Sequence, residues 1–196
     1  MDHRLLQSVG FWAFLFSVDW DLAATARQAG CSCGGRLHRA DYLRKPRGGP
    51  KGLSREHCYR LSFCCGREGC RKRLTPPSVR FLGRKVYLHA VVILVAAMRQ
   101  GPTPRRVREL AELFQVDPRT IERWQVFWRD NFPQTPFWKV ARGQVALLGE
   151  LLDLPRALLT AFFRDDEADP KQKWKELLVF LSPITITGGL KSEVLR

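Results

Sequence analysis

Long hydrophobic runs are missing from this sequence. The longest, residues 90–98, is nine residues, whereas a helix that spans a bilayer needs about 20, so no spanning segment and no membrane partner are expected. Histidine is sparse and scattered: His3, His38, His57 and His89 share no short motif, and no Ser, His and Asp stand in a recognisable setting for acyl chemistry. Acidic residues are scarce in one region above all. Residues 31–85 hold three Asp/Glu against fifteen Lys/Arg, a local net of +12 out of +14 for the whole chain. Such a concentrated positive field favours a polyanion, because each phosphate that a side chain neutralises releases condensed counterions. An anionic membrane surface would attract it too, but the basic stretch has no amphipathic period to seat a helix in the interface. The remaining composition, 45% hydrophobic and 27% charged over 196 residues, is that of a soluble folded chain with one good core or two small ones.

Five of the six cysteines fall in two tight clusters, C-S-C-G-G (Cys31, Cys33, Gly34, Gly35) and C-C-G-R-E-G-C (Cys64, Cys65, Gly66, Gly69, Cys70). Each reads as a knuckle: glycines let the backbone fold back beneath a metal, and two such turns supply four thiolates for a tetrahedral site. The natural ligand set is Cys31, Cys33, Cys65 and Cys70, with Zn(2+) as the expected cofactor. Cys64 competes with Cys65, since neighbours on a strand face opposite ways, and His38 or His57 is an alternative ligand. The spacings C-x-C and C-x4-C depart from the commoner C-x2-C. Clustered thiols fit a reducing compartment better than a disulfide framework does. Residues 28–31 (Q-A-G-C) match a lipoprotein cleavage site poorly, and Asp19 and Asp21 interrupt the preceding apolar segment. The expected location is therefore cytoplasmic, at the nucleoid.

In chain order, residues 3–29 read as a helix with Leu5, Val9, Trp12, Phe16 and Trp20 on its apolar side, ended by Gly30. Between the knuckles, residues 42–52 form a loop rich in Pro and Gly that carries Arg44, Lys45 and Arg47. Residues 36–42 and 58–63 flank it as short strands, bringing Tyr42, Tyr59 and Phe63 near the cations, where aromatics suit stacking on bases or sugars, the alternative being that Tyr59 and Phe63 only fill the small core of the ribbon. A basic connector follows with Arg71, Lys72 and Arg73, and residues 86–99 then read as a helix apolar on most faces, hence buried. Farther on come a helix over 155–163, an acidic linker at 165–170 and a helix over 171–181.

Residues 103–130 carry the second informative pattern. Thr103-Pro104 starts one helix and Asp117-Pro118 the next, each with a capping residue followed by proline at the first position. Around the Phe-Gln-Val-Asp turn this makes a helix-turn-helix. Its second helix would set Arg119, Thr120 and Arg123 toward a major groove, with Ile121, Trp124 and Trp128 on the inner side, while Arg105 and Arg106 approach phosphates.

This order of cysteine ribbon, basic C-R-K-R-L-T-P-P-S-V-R-F-L-G-R-K connector, buried helix and A-E-L-F-Q-V-D-P-R-T-I-E-R-W element resembles the N-terminal region of bacterial insertion-sequence transposases of the zinc-ribbon plus helix-turn-helix type. The resemblance covers roughly residues 31–130 and is one of arrangement. It implies a metal-ligand role for Cys31, Cys33, Cys65 and Cys70, a terminal-repeat reading role for Arg119, Thr120 and Arg123, and, as partners, double-stranded DNA and a catalytic transposase on another chain. The family's strand-transfer chemistry does not carry over. It needs dispersed carboxylates holding two metal ions, whereas Asp165, Asp166, Glu167 and Asp169 are clustered, and the scattered histidines offer no paired-histidine site for nicking. The expected protein is thus a sequence-specific DNA binder without catalysis, related to mobile elements; a zinc-containing transcription regulator or an RNA-binding accessory protein is the alternative. The expected fold is mainly α with a small β zinc ribbon: an N-terminal helix (1–30), a ribbon and connector (31–85), a trihelical helix-turn-helix unit (86–132) and a helical extension (133–196).

Overall fold

A computed structural model describes residues 5, 8–44, 52–81, 103–145, 154–164 and 168–186. The expected buried helix at 86–99, Lys45 and Arg47 of the basic loop, and the acidic residues 165–167 lie outside the described residues. Among the described residues the protein is mainly helical with two small antiparallel sheets.

The first helix, α1 (Val9–Ala29), ends where Gly30 takes φ 74° and returns its N–H to the Arg27 carbonyl, a conformation that glycine adopts without strain. Its buried stripe is Phe11, Trp12, Leu15, Val18, Asp19 and Ala23. Val9 and Trp20, expected on the apolar side, are 46% and 39% exposed. The stripe is rotated because it follows Phe11, Leu15 and Val18 at steps of four and three.

The cysteine-bearing segment forms a broken hairpin. Strands β1 (Leu37–Arg39) and β4 (Phe63–Cys65) pair with Leu37 opposite Cys65, and β5 (Arg73–Leu74) joins on the far side of β4 with Arg73 opposite Cys64. Beyond a kink, β2 (Tyr42–Leu43) pairs with β3 (Tyr59–Arg60). The Asp41 carboxylate bridges the kink by accepting the Ser62 N–H at 2.9 Å. Under the hairpin, among the described residues, lies a small core of Ala23, Leu37, Leu61, Phe63 and Cys65, with Phe16, Leu74 and three further cysteines packed against it.

The helices share a larger core. α2 (Pro104–Phe114) and α3 (Pro118–Val126) flank a tight turn in which Gln115 has φ 51°. A π turn (Phe127–Asn131) then leads to α4 (Pro136–Val145), α5 (Arg156–Phe162) and α6 (Pro170–Leu181). Buried residues from α1 to α6 belong to one apolar cluster. At its centre Trp128, Phe132 and Trp138 follow one another, ring centroids 4.5 and 5.1 Å apart. The N-terminal helix, the helix pair and the C-terminal helices are thus parts of a common core.

One polar knot joins this core to the hairpin. Asp19, 1% exposed on α1, accepts from Ser78 Oγ and the Val79 amide at 2.7 Å each, and from Arg80 Nε at 2.8 Å. Arg80 is equally buried and spends its remaining nitrogens on the carbonyls of His57 and Tyr59. Its guanidinium also lies 4.3 Å from the Phe16 ring. A buried charge persists only when paired and hydrogen-bonded in this manner.

Candidate metal centre and cationic surfaces

Cys31, Cys33, Cys65 and Cys70 present four sulfurs that all lie within 4.8 Å of one another. The separations are 3.5 Å for Cys31 and Cys33, 3.5 Å for Cys33 and Cys65, and 3.8 Å for Cys31 and Cys70. A tetrahedron with metal–sulfur arms of about 2.3 Å has an edge of about 3.8 Å, whereas a disulfide needs about 2.05 Å. The spacing is therefore that of four ligands around one ion, and the four thiols can hold a metal.

Local backbone geometry makes the cluster. β4 alternates, so Cys65 turns inward with its partner Leu37, and Cys64 turns outward with His38 and Arg73. Cys64 Sγ faces the Arg71 carbonyl at 3.5 Å instead. The choice between the two neighbours, open in the sequence, thus falls on Cys65. Cys33 Sγ accepts from the Gly35 amide, two residues on, at 3.4 Å. Such N–H donors stabilise thiolate, and thiolate is the ligand form. A side chain at Gly35 would not fit, since its Cβ would stand 2.5 Å from Cys65 Sγ. Arg67 ties the knuckles together by donating to the Cys33 carbonyl. Neither histidine alternative enters the cluster: His38 packs over Gly66, and buried His57 hydrogen-bonds Ser54 Oγ at 2.8 Å. Cys58 also stands apart, its sulfur near the Ser54 carbonyl.

Cys33, Cys65 and Cys70 do not ionise alike. Cys33 is drawn down from 9.0 to about 6 by the Gly35 amide, helped by hydrogen bonds with Cys70, Cys31 and Cys65. For Cys65 the Arg67 amide pulls downward, but burial and hydrogen bonds with the other thiols outweigh it and push the group up to about 12. Cys70 is raised against the pull of its Lys72 amide, by its hydrogen bond with Cys33 and by burial. The metal-free cluster thus gathers negative charge at Cys33 before Cys65 and Cys70, whose protons a dication would displace.

The expected polyanion-facing cations divide between two places. On the hairpin and connector, Arg71, Lys72 and Arg73 are exposed and Arg44 is half-buried. On the helix pair, Arg105, Arg119 and Arg123 are exposed, while the Arg106 side chain lies outside the described residues. Arg105 Nε meets Glu109 at 3.1 Å, one turn along α2. Thr120 is a correction: expected beside Arg119 and Arg123, it is 6% exposed. It sits one turn before Trp124 and next to Ile121, so it belongs to the inward side of α3. Of the aromatics, Phe63 is buried in the hairpin core, while Tyr42 and Tyr59 are half-buried. Sequence reading noted Asp19 and Asp21 but missed the pairing of Asp19 with Arg80; an acid set among the apolar residues of α1 was the signal available. No described helix is long and apolar enough to cross a membrane.

Comparison of the chain with protein-family models, with curated proteins and with solved structures finds no match.

Proposed function

We propose that this chain is a sequence-specific binder of double-stranded DNA, stapled by zinc and related to mobile elements, in which α2 and α3 act as a helix-turn-helix. One observation carries the reading. Arg119 and Arg123 stand exposed in the first two turns of α3, four residues apart, while Thr120, Ile121 and Trp124 anchor the other side in the core. The Asp117 carboxylate caps the helix through the Arg119 amide at 2.8 Å, so the end that would enter a major groove is ordered. The exposed basic residues of the hairpin and connector would add phosphate contacts that hold register without reading bases.

Zinc is the ion of choice for four thiolates in a closed site, because tetrahedral sulfur coordination suits it and needs no redox change. Its part is structural: it cross-links the two knuckles beneath a core too small to hold them. In this reading the chain binds, and cleavage belongs to a transposase on another chain.

Selection from a random duplex pool tests the proposal, and an enriched motif is expected. An Arg to guanine pair discriminates by ~1–3 kcal/mol, so Arg123→Ala should bring the selected site toward random DNA and leave non-specific affinity nearly unchanged. An unenriched pool would sink sequence-specific reading.

A further inference from the structure

A second surface has a shape that suits a smaller ligand. Against the two-stranded sheet lies a cleft of about 710 Å³ whose lining includes Arg44, Arg60, Lys72 and Arg73 and, among the described residues, no carboxylate. Tyr42 stands among these cations, with the guanidinium carbons of Arg44 and Arg73 at 5.2 and 5.3 Å from its ring centroid. Prolines and Ile186 make much of the rest apolar. The volume falls within the ~300–1,000 Å³ of small-molecule sites and far exceeds what a lone phosphate ion fills.

Arg60 gives the cleft its bias. It is 2% exposed, its Nη2 donates to the Pro76 carbonyl at 2.6 Å, and its Nη1 has no hydrogen-bond partner. The nearby carboxylate of Asp19 is committed to Ser78, Val79 and Arg80. Burial draws Arg60 below the ordinary arginine value, and Asp19 only partly opposes it. A guanidinium nevertheless keeps its proton at neutral pH. A buried cation that must share Asp19, its only nearby carboxylate among the described residues, with Arg80 is costly, and an anion in the cleft would relieve it.

We propose that this cleft binds one phosphorylated nucleotide unit of a single strand. The phosphate lies among Arg44, Lys72 and Arg73 over Arg60, and the base or sugar lies against Tyr42 and the apolar lining, where stacking on an aromatic is worth ~1–3 kcal/mol per base. The site is separate from α3 and does not depend on duplex reading there.

Calorimetric titration of the reduced, metal-loaded full chain decides between these outcomes, with thymidine 5′-monophosphate, thymidine, inorganic phosphate and a four-nucleotide oligothymidylate as probes. The monophosphate should bind once per chain, thymidine and inorganic phosphate at least about tenfold more weakly, and the oligonucleotide should compete with the monophosphate. The double variant Arg44→Ala/Arg73→Ala should lower monophosphate affinity at least about tenfold with metal content unchanged, whereas Arg119→Ala/Arg123→Ala should leave it intact. No heat with the monophosphate, equal affinity for inorganic phosphate, failure of the oligonucleotide to compete, or equal binding by the Arg44/Arg73 variant would each overturn the proposal. Should that variant lose its metal, the wild-type probe series by itself supports or overturns the site. Loss of nucleotide binding in the Arg119/Arg123 variant would move the site to α3 and also overturn it.

Discussion

Replacing Gly35 by Ala tests the metal centre at its tightest point. The added Cβ would stand 2.5 Å from Cys65 Sγ, 2.7 Å from Arg67 Cβ and 3.2 Å from Cys33 Sγ. The first distance is about 1 Å or more inside ordinary carbon–sulfur contact, roughly 3.5–4 Å, and the atom in the way is one of the four clustered sulfurs, which could not swing aside without leaving a bound ion. Overpacking in a close-packed site costs ~1–3 kcal/mol. If the loaded state bears all of it, metal affinity falls by about 5- to 150-fold. Backbone movement to relieve the clash would also disturb the 3.4 Å bond from the Gly35 amide to Cys33 Sγ, which places the expected loss in the upper half of that range. Gly34→Ala is the matched control. Its Cβ would meet nothing within 4 Å, and only its φ of +76° disfavours a side chain, at ~1 kcal/mol. Competition against a chromogenic zinc chelator measures both variants in the reduced protein. Wild-type affinity in Gly35→Ala, or a greater loss in Gly34→Ala than in Gly35→Ala, would refute the geometry of the site.

Elemental analysis of the reduced protein should find about one zinc per chain, retained in Cys64→Ser and lost in Cys65→Ser; the reverse pattern would mean that β4 is flipped. Asp19→Asn leaves the buried Arg80 guanidinium without its counter-charge and should cost ~3–5 kcal/mol, read as a lower denaturant midpoint; an unchanged midpoint would remove the knot as a stabilising element. In the metal-free reduced protein, thiolate absorbance should begin to rise near pH 6, because Cys33 is held at about 6, with the steps belonging to the cluster as a whole. Since that value lies below the unfolded 9.0, the stabilising contribution of this thiolate is full above pH 9 and is lost as pH falls through about 6; a Cys33→Ser variant that keeps the early rise would refute the assignment.

Much of this arrangement was legible in local chemistry. Gly30 as a helix stop and Asp117-Pro118 as a helix start are decided by their own backbone needs, so sequence reading and structure agree there. The four-cysteine set was legible as well, because glycine-flanked thiols come together only in a few ways. Long-range packing was not. The rotation of α1 that exposes Trp20 depends on what its other side meets, and the inward turn of Thr120 depends on the core beneath α3. α4 was overlooked although Thr135-Pro136 repeats the Thr-Pro start of α2; Thr135 Oγ1 accepts the Trp138 N–H at 3.2 Å and begins the helix. Asp19 read as an interruption of an apolar segment, since its partners lie 59 to 61 positions away.

The Asp19–Arg80 knot has a consequence for what the chain can grip. With one guanidinium holding the hairpin carbonyls of His57 and Tyr59 and the α1 carboxylate at once, the two cationic surfaces are mounted on a common frame, not strung on a tether. A tethered pair engages sites over a range of separations and gives up linker entropy on the second contact. A framed pair has one span: a polyanion whose phosphates match that span meets both surfaces at almost no further ordering cost, and one that does not match meets only one. Were that polyanion the duplex proposed above, its curvature and groove spacing would be selected along with its sequence.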